Sequence, residues 1–154
     1  AFQLQAVLLS LLGLPFAVVL ANQSRSAPVF PEIVAIIIFA LALAGESLAD
    51  KQLEDFRRSP ENKGQVCQVG LWNYSRHPNY FFEWLIWMAF FLFALPSAGG
   101  IYTFYCPVLM YFFLTRVTGV KATEEQTLRT RGDAYRRYQE STSAFFPWFK
   151  KAPR

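Results

Sequence analysis

Ile33-Val34-Ala35-Ile36-Ile37-Ile38-Phe39-Ala40-Leu41-Ala42-Leu43-Ala44 carries no charge. It passes directly into Gly45-Glu46-Ser47-Leu48-Ala49-Asp50-Lys51-Gln52-Leu53-Glu54-Asp55-Phe56-Arg57-Arg58. A helix that crosses a bilayer needs about 17–25 mostly apolar residues. Pro31 stands where it can open such a helix as its first residue. The spacing predicts one helix over 31–56 that outruns the hydrocarbon. On it, Glu46, Asp50, Leu53 and Arg57 fall at i, i+4, i+7 and i+11 and share a face. Two acids and an arginine thus form a stripe leading away from the apolar half. Acids this close to hydrocarbon demand partners.

Three further blocks, Ala1–Ala21, Phe81–Leu95 and Ile101–Val117, are also nearly free of charge. The chain is 53% hydrophobic and 18% aromatic, more apolar than an ordinary soluble domain. These blocks predict an all-α, polytopic membrane protein forming a single membrane domain over 1–154. About four spans are expected, at 1–21, 31–56, 78–95 and 100–118, followed by an amphipathic helical tail over 119–154. Gly13 and Pro15 predict a kink in the first span that neighbouring helices must satisfy. Asn22–Pro28 reads as a polar turn, and Pro96-Ser97-Ala98-Gly99-Gly100 as a tight one. The tail reads as a helix or helix pair broken near Arg131-Gly132, and Phe145-Phe146-Pro147-Trp148-Phe149 as an aromatic anchor at the membrane interface.

The net charge of +4 is distributed as a topology signal, not as a nucleic-acid footprint. Of 15 Lys and Arg residues, only Arg25 falls between the first two blocks; the rest lie from Lys51 to Arg76 or from Arg116 onward. With four spans, both basic segments share one side, which the positive-inside rule makes cytosolic or its organellar equivalent. Cys67 and Cys106 lie in different kinds of segment, and one histidine without cysteines nearby makes no metal site. The chain opens at Ala1 with no basic segment ahead of its first block. That block reads as a spanning helix that begins partway through something, not as a secretory signal, as expected of a fragment or a processed product.

The chemistry concentrates in Gly70-Leu71-Trp72-Asn73-Tyr74-Ser75-Arg76-His77-Pro78-Asn79-Tyr80-Phe81-Phe82-Glu83-Trp84. His77 precedes a proline and is biased toward extended backbone, whereas Pro78 suits a first helical turn. Asn79 and Glu83 then lie one turn apart on one face. The free amides and positive dipole of that helix start, with Arg76 and His77 before it, suit a phosphate or carboxylate.

Taken in order, these motifs resemble a known group. They are Glu46-x-x-x-Asp50-x-Gln52-Leu53-x-x-Phe56, then Gly70-Leu71-Trp72-x-Tyr74-Ser75-Arg76-His77-Pro78-Asn79-Tyr80-x-x-Glu83, then Gly119-Val120, Glu124, Tyr135-x-x-Tyr138 and Thr142–Pro147. Together they are similar to the C-terminal region of the steroid 5α-reductase superfamily, in its bacterial-type integral-membrane branch. Isoprenylcysteine carboxyl methyltransferases share part of the pattern more distantly. The resemblance implies a cofactor-binding half, for NADPH in reductases and for S-adenosylmethionine in methyltransferases. It assigns cofactor binding to Glu46, Asp50, Arg57, Tyr74, Arg76, His77, Asn79, Tyr80, Glu83, Arg116, Glu124 and Tyr138. The implied reaction is hydride delivery to a conjugated carbon–carbon double bond of a lipid or sterol-like substrate. It assigns no catalytic acid within this chain, because that acid sits on N-terminal helices in the reductases.

Two positions depart from the group's pattern. Phe82 replaces a glycine that usually precedes the glutamate, so an aromatic ring is expected to intrude on the pocket. Lys121 stands where relatives often have proline. Besides the reductase and methyltransferase readings, the Phe82 change, the missing start methionine and the N-terminal half that the chain is expected to lack relative to the reductases favour a third: a truncated, non-catalytic relative without cofactor, serving as a structural subunit of a larger membrane complex.

Overall fold

The computed structural model describes residues 2–22 and 29–150. Gln23–Pro28, including Arg25, lie outside the described residues, so most of the expected first turn does too. Among the described residues every named element is helical, the elements are joined by turns and loops, and the β contact is an isolated parallel bridge between Ser75 and Ser143. The α-helices are α1 (Phe2–Ala21), α2 (Phe30–Arg58), α3 (Pro78–Ala94), α4 (Tyr105–Phe112), α5 (Val120–Arg131) and α6 (Asp133–Ser141). Two helical runs are long and apolar enough to cross a membrane, Phe30–Arg58 and Gly100–Arg131, and Gln5–Ala21 is a shorter apolar helix. The second and fourth of the four expected spans lie within these two runs, and by length and composition they support membrane association.

The second helix continues past its apolar half as expected, as one helix of 29 residues. It starts one residue before Pro31, and the Glu32 carboxylate accepts the Val29 N–H at 2.7 Å, closing the helix start. Pro78 opens α3, as expected. The fourth block differs from the single helix its composition suggests. It begins as a 3-10 helix at Gly100–Phe104, becomes α4, and then widens into a π-helical turn at Phe113–Val117. The Thr118 N–H reaches back five residues to the Phe113 carbonyl at 3.0 Å. Such a turn inserts one residue into the helical ladder, and hydropathy does not register it.

The chain divides into two compact units, one of Ala1–Ala42 with Trp84–Tyr111, the other of Leu43–Glu83 with Phe112–Arg154. In the first, Pro15 lies inside α1 and supplies no N–H to the Leu11 carbonyl four residues before it. The Tyr105 hydroxyl donates to that carbonyl instead, with the Cys106 thiol 3.9 Å from it. The neighbouring segment thus satisfies the proline, as the sequence required. Ala35, Ala42, Ala89 and Ala94 are almost fully buried, small side chains at places where helices pack closely. Phe90 packs on Phe16 and Phe39 at ring separations of 4.9 and 5.7 Å. Gly99 turns the chain at φ 80°, and a Cβ at Gly100 would collide with the Ala94 carbonyl.

The second unit ties three distant segments together. The Trp72 indole N–H donates to Ala49 O at 2.9 Å, and Gln52 Oε1 accepts the Leu71 N–H at 2.9 Å, fixing the loop after α2 to that helix. From the C-terminal end, Ser143 O accepts the Arg76 N–H at 2.8 Å and Phe145 O accepts the Ser75 hydroxyl at 2.9 Å. Tyr74 O accepts the Trp148 N–H at 2.9 Å. The tail is indeed a helix pair, α5 and α6, separated at Gly132. Its aromatic end divides in role. Phe145 is buried against Phe81, whereas Trp148 and Phe149 are exposed.

Candidate functional site

A cavity of about 670 Å³ lies within the second unit, walled by the polar half of α2, the Gln65–Cys67 loop, the start of α3, and α5 and α6. Seven of the twelve residues singled out from sequence line it: Asp50, Arg57, Arg76, His77, Asn79, Tyr80 and Tyr138. The helical stripe expected on α2 is thus real for Asp50, Leu53 and Arg57. Glu46, Tyr74, Glu83, Arg116 and Glu124 are not part of the wall. Tyr74 is exposed and packs edge-on against Phe149, and Arg116 is exposed on the π-helical turn.

Arg76 and Glu124 form the frame behind that wall. Arg76 Nε donates to Glu124 Oε1 at 2.7 Å, and its Nη1 donates to the Gln139 and Thr142 carbonyls at 2.9 and 2.6 Å. His77 Nε2 lies 3.3 Å from the same Glu124 oxygen, and the Gln139 amide donates to Glu124 Oε2 at 2.7 Å. Burial alone would raise the Glu124 carboxyl. Hydrogen bonds from His77 and Arg76, the Arg76 charge and the Gln139 amide outweigh it and hold the group down to about 2. Arg76 is therefore a structural cation with much of its fork already occupied.

His77 is only 3% exposed and stacks on Tyr80, with rings 5.3 Å apart and nearly parallel. The Tyr138 hydroxyl donates to Trp72 O and lies 3.2 Å from Ser75 O, pinning α6 to the Arg76-His77 segment. Burial pushes the Tyr138 phenol well above its ordinary range, so it remains a donor at neutral pH.

The opposite wall is differently poised. The Asn79 amide donates to Asp50 Oδ1 at 3.0 Å, while Asn79 Oδ1 is buried without a hydrogen-bond partner, alone in this among the described side chains. A buried unmet acceptor costs about 1–3 kcal/mol, which a donor on a ligand would recover.

Phe82 does not fill this space. Its ring lies where a Cβ on Gly45 would sit, and it is not among the cavity's lining residues. The expectation that Phe82 intrudes on the pocket is corrected. The glycine that permits close approach is on α2, facing the phenylalanine.

The family described as a protein of unknown function, DUF1295, matches residues 1–142. The chain belongs to this family. DUF1295 is steroid 5α-reductase-like. An uncharacterized protein of Schizosaccharomyces pombe is 28% identical over 137 residues, covering 74% of this chain and 38% of that protein. A probable O-methyltransferase of Ustilaginoidea virens is 39% identical over 66 residues, covering 43% of this chain and 22% of that protein. The chain spans less than half the length of either relative. No solved structure matches it.

This DUF1295 cavity also uses residues that sequence reasoning passed over. Thr123, Gln126, Thr127, Thr130 and Arg131 of α5 all line it. They stand at i, i+3, i+4, i+7 and i+8, a helical face that is polar throughout. The pattern was present in the sequence, but a tail read as resting on a membrane surface hid it. Cys67 is a second omission. Burial holds its thiol above the ordinary range, against the opposing pull of the Val69 backbone and the Arg57 charge.

Proposed function

We propose that the second unit is the cofactor-binding half of an NADPH-dependent membrane reductase that saturates a conjugated double bond in a lipid or sterol-like substrate. The observation that carries this reading is the Asp50–Asn79 pair, with the unpartnered Asn79 Oδ1, on the wall of a nucleotide-sized cavity. Ligand pockets commonly measure about 300–1,000 Å³, and this one falls within that range. When bound, NADPH supplies the hydride. Asp50 accepts from hydroxyl or amide donors of the ligand, Asn79 offers a second acceptor, and unpaired guanidinium groups hold phosphate. The Arg76–Glu124 frame keeps α5 and the start of α3 in register around the ligand. The single proton that balances the hydride comes from an acid that the resemblance assigns to the substrate-side half and not to this cofactor half.

Under the same reading the chain crosses the bilayer four times, with the basic loop and the tail on the cytosolic side, in keeping with its charge distribution. Glu46 and Glu83 are then polar groups near the hydrocarbon boundary, close to the Asp50–Asn79 end of the site.

A second reading, S-adenosylmethionine binding for methyl transfer, is favoured by one observation, the likeness to a probable O-methyltransferase. Titration of the purified full-length protein in lipid nanodiscs separates the two. Trp72 lines the cavity, so energy transfer from tryptophan to NADPH reports occupancy. Saturable transfer that S-adenosylmethionine does not displace is the expected result. Heat of binding with S-adenosylmethionine and none with NADPH would replace the reductase reading with the methyltransferase one. Binding of neither would leave the non-catalytic subunit, in contact with other membrane chains.

A further inference from the structure

Three arginines line the cavity, and only one has its charge answered. Arg76 is engaged by Glu124 and by two backbone carbonyls. Arg57, in the last turn of α2, and Arg131, the last residue of α5, enter no ion pair or hydrogen bond among the described residues. The one acid on the wall, Asp50, is bonded to the Asn79 amide. It precedes Arg57 by seven positions on the same helix, about 10 Å of rise. The cavity is thus acidic toward one end of its α2 wall and basic toward the other. Gln126, Thr127 and Thr130 share the α5 face with Arg131.

Arginines in the last turn of a helix complement its dipole, and that accounts for each position singly. It does not account for two such helix ends opening onto one cavity without a carboxylate to answer either. A guanidinium presents a planar fork that matches phosphate oxygens, and a desolvated phosphomonoester rewards two such forks more than one.

We propose that Arg57 and Arg131 form an anion subsite that takes the phosphate-bearing end of a nucleotide, with Arg131 discriminating in favour of the ligand that carries an additional phosphomonoester. The proposal rests on the nucleotide reading of the same cavity. Arg131 is the specific addition, since no motif in the sequence pointed to it.

The test titrates the full-length protein in nanodiscs with NADPH, NADH and inorganic pyrophosphate, in the unsubstituted form and as Arg57→Gln, Arg131→Gln and Arg131→Lys. NADPH is expected to bind more tightly than NADH. Arg131→Gln is expected to weaken NADPH about tenfold or more while leaving NADH nearly unchanged, as loss of a charge-assisted contact requires. Arg131→Lys is expected to recover part of the preference, and the melting temperature should stay constant across the series. Equal binding of NADPH and NADH by the unsubstituted protein, or an unchanged ratio in Arg131→Gln, overturns the subsite while leaving nucleotide binding standing. Pyrophosphate binding that depends on both arginines, without binding of either nucleotide, upholds the subsite and removes the reductase reading. Binding of none of the three probes overturns both.

Discussion

Arg76 Nε and Glu124 Oε1 meet at 2.7 Å across 48 positions of chain, with side chains only 10% and 15% exposed. The pair closes α5 onto the segment that starts α3, and Glu124 takes three donors at once. Removing one partner of a buried ion pair costs about 3–5 kcal/mol, because the other is left buried and unanswered. Glu124→Gln and Arg76→Gln are each expected to destabilise the protein on that scale. The double substitution should cost clearly less than the sum. Denaturant unfolding of the four proteins measures it, and additive losses would show that the two residues act independently.

The same carboxylate sets an acid limit. Glu124 is depressed in the folded state from 4.5 to about 2. A depressed carboxyl contributes stability that is complete above its unfolded value and is lost as pH falls through the folded one. The loss should therefore run from about pH 4.5 down to about pH 2 and amount to roughly 3 kcal/mol. Glu124→Gln should flatten this part of the stability profile. A profile of unchanged slope in the variant would assign the acid sensitivity to other groups.

Across the cavity, Asp50→Ala removes the acceptor of the Asn79 amide, and Asn79→Ala removes the unpartnered Oδ1. Each is expected to weaken NADPH binding about tenfold, the scale of one hydrogen bond to a charged or buried group. Asp50→Asn should fall between the native protein and the alanine variant. Unchanged affinity in both alanine variants would remove this wall from the binding site.

The difference between the two walls explains what was legible in the sequence. Asp50 and Arg57 follow from helical spacing and Asn79 from Pro78 as a helix opener, because local geometry fixes the faces they lie on, whereas Tyr80 came only with the family resemblance. Arg76 carries the same sequence signal as a ligand arginine. Yet its partners include the Gln139 and Thr142 carbonyls, more than sixty positions away, and backbone acceptors leave no trace in side-chain pattern. The π-helical turn at Phe113–Val117 was equally hidden, since its extra residue alters the ladder and not the composition.

Gly45 and Phe82 share one volume. A methyl group on Gly45 would fall within contact of three Phe82 ring atoms. Gly45→Ala alone is expected to cost about 1–3 kcal/mol by overpacking. Combined with Phe82→Ala, the added methyl meets no ring, and its cost relative to Phe82→Ala alone should nearly vanish. Melting temperatures of the two single variants and the double variant in nanodiscs provide the check. A Gly45→Ala penalty that persists beside Phe82→Ala would mean that another neighbour restricts α2 there.

Pro15 and Tyr105 form the corresponding pair in the other unit. The proline deprives Leu11 O of its intrahelical donor, and the Tyr105 hydroxyl takes that place. Tyr105→Phe keeps the ring but leaves the carbonyl only the weak Cys106 thiol donor at 3.9 Å, at a cost of about 1 kcal/mol, the scale of one hydrogen bond. Pro15→Ala returns a backbone N–H four residues after Leu11, so the helix itself can satisfy the carbonyl. In the Pro15→Ala background, Tyr105→Phe should therefore cost markedly less than it does beside the native proline. The comparison is a thermodynamic cycle of four proteins read by thermal unfolding in nanodiscs. An equal cost in both backgrounds would show that the tyrosine stabilises the bundle by packing and not by answering the carbonyl that the proline frees.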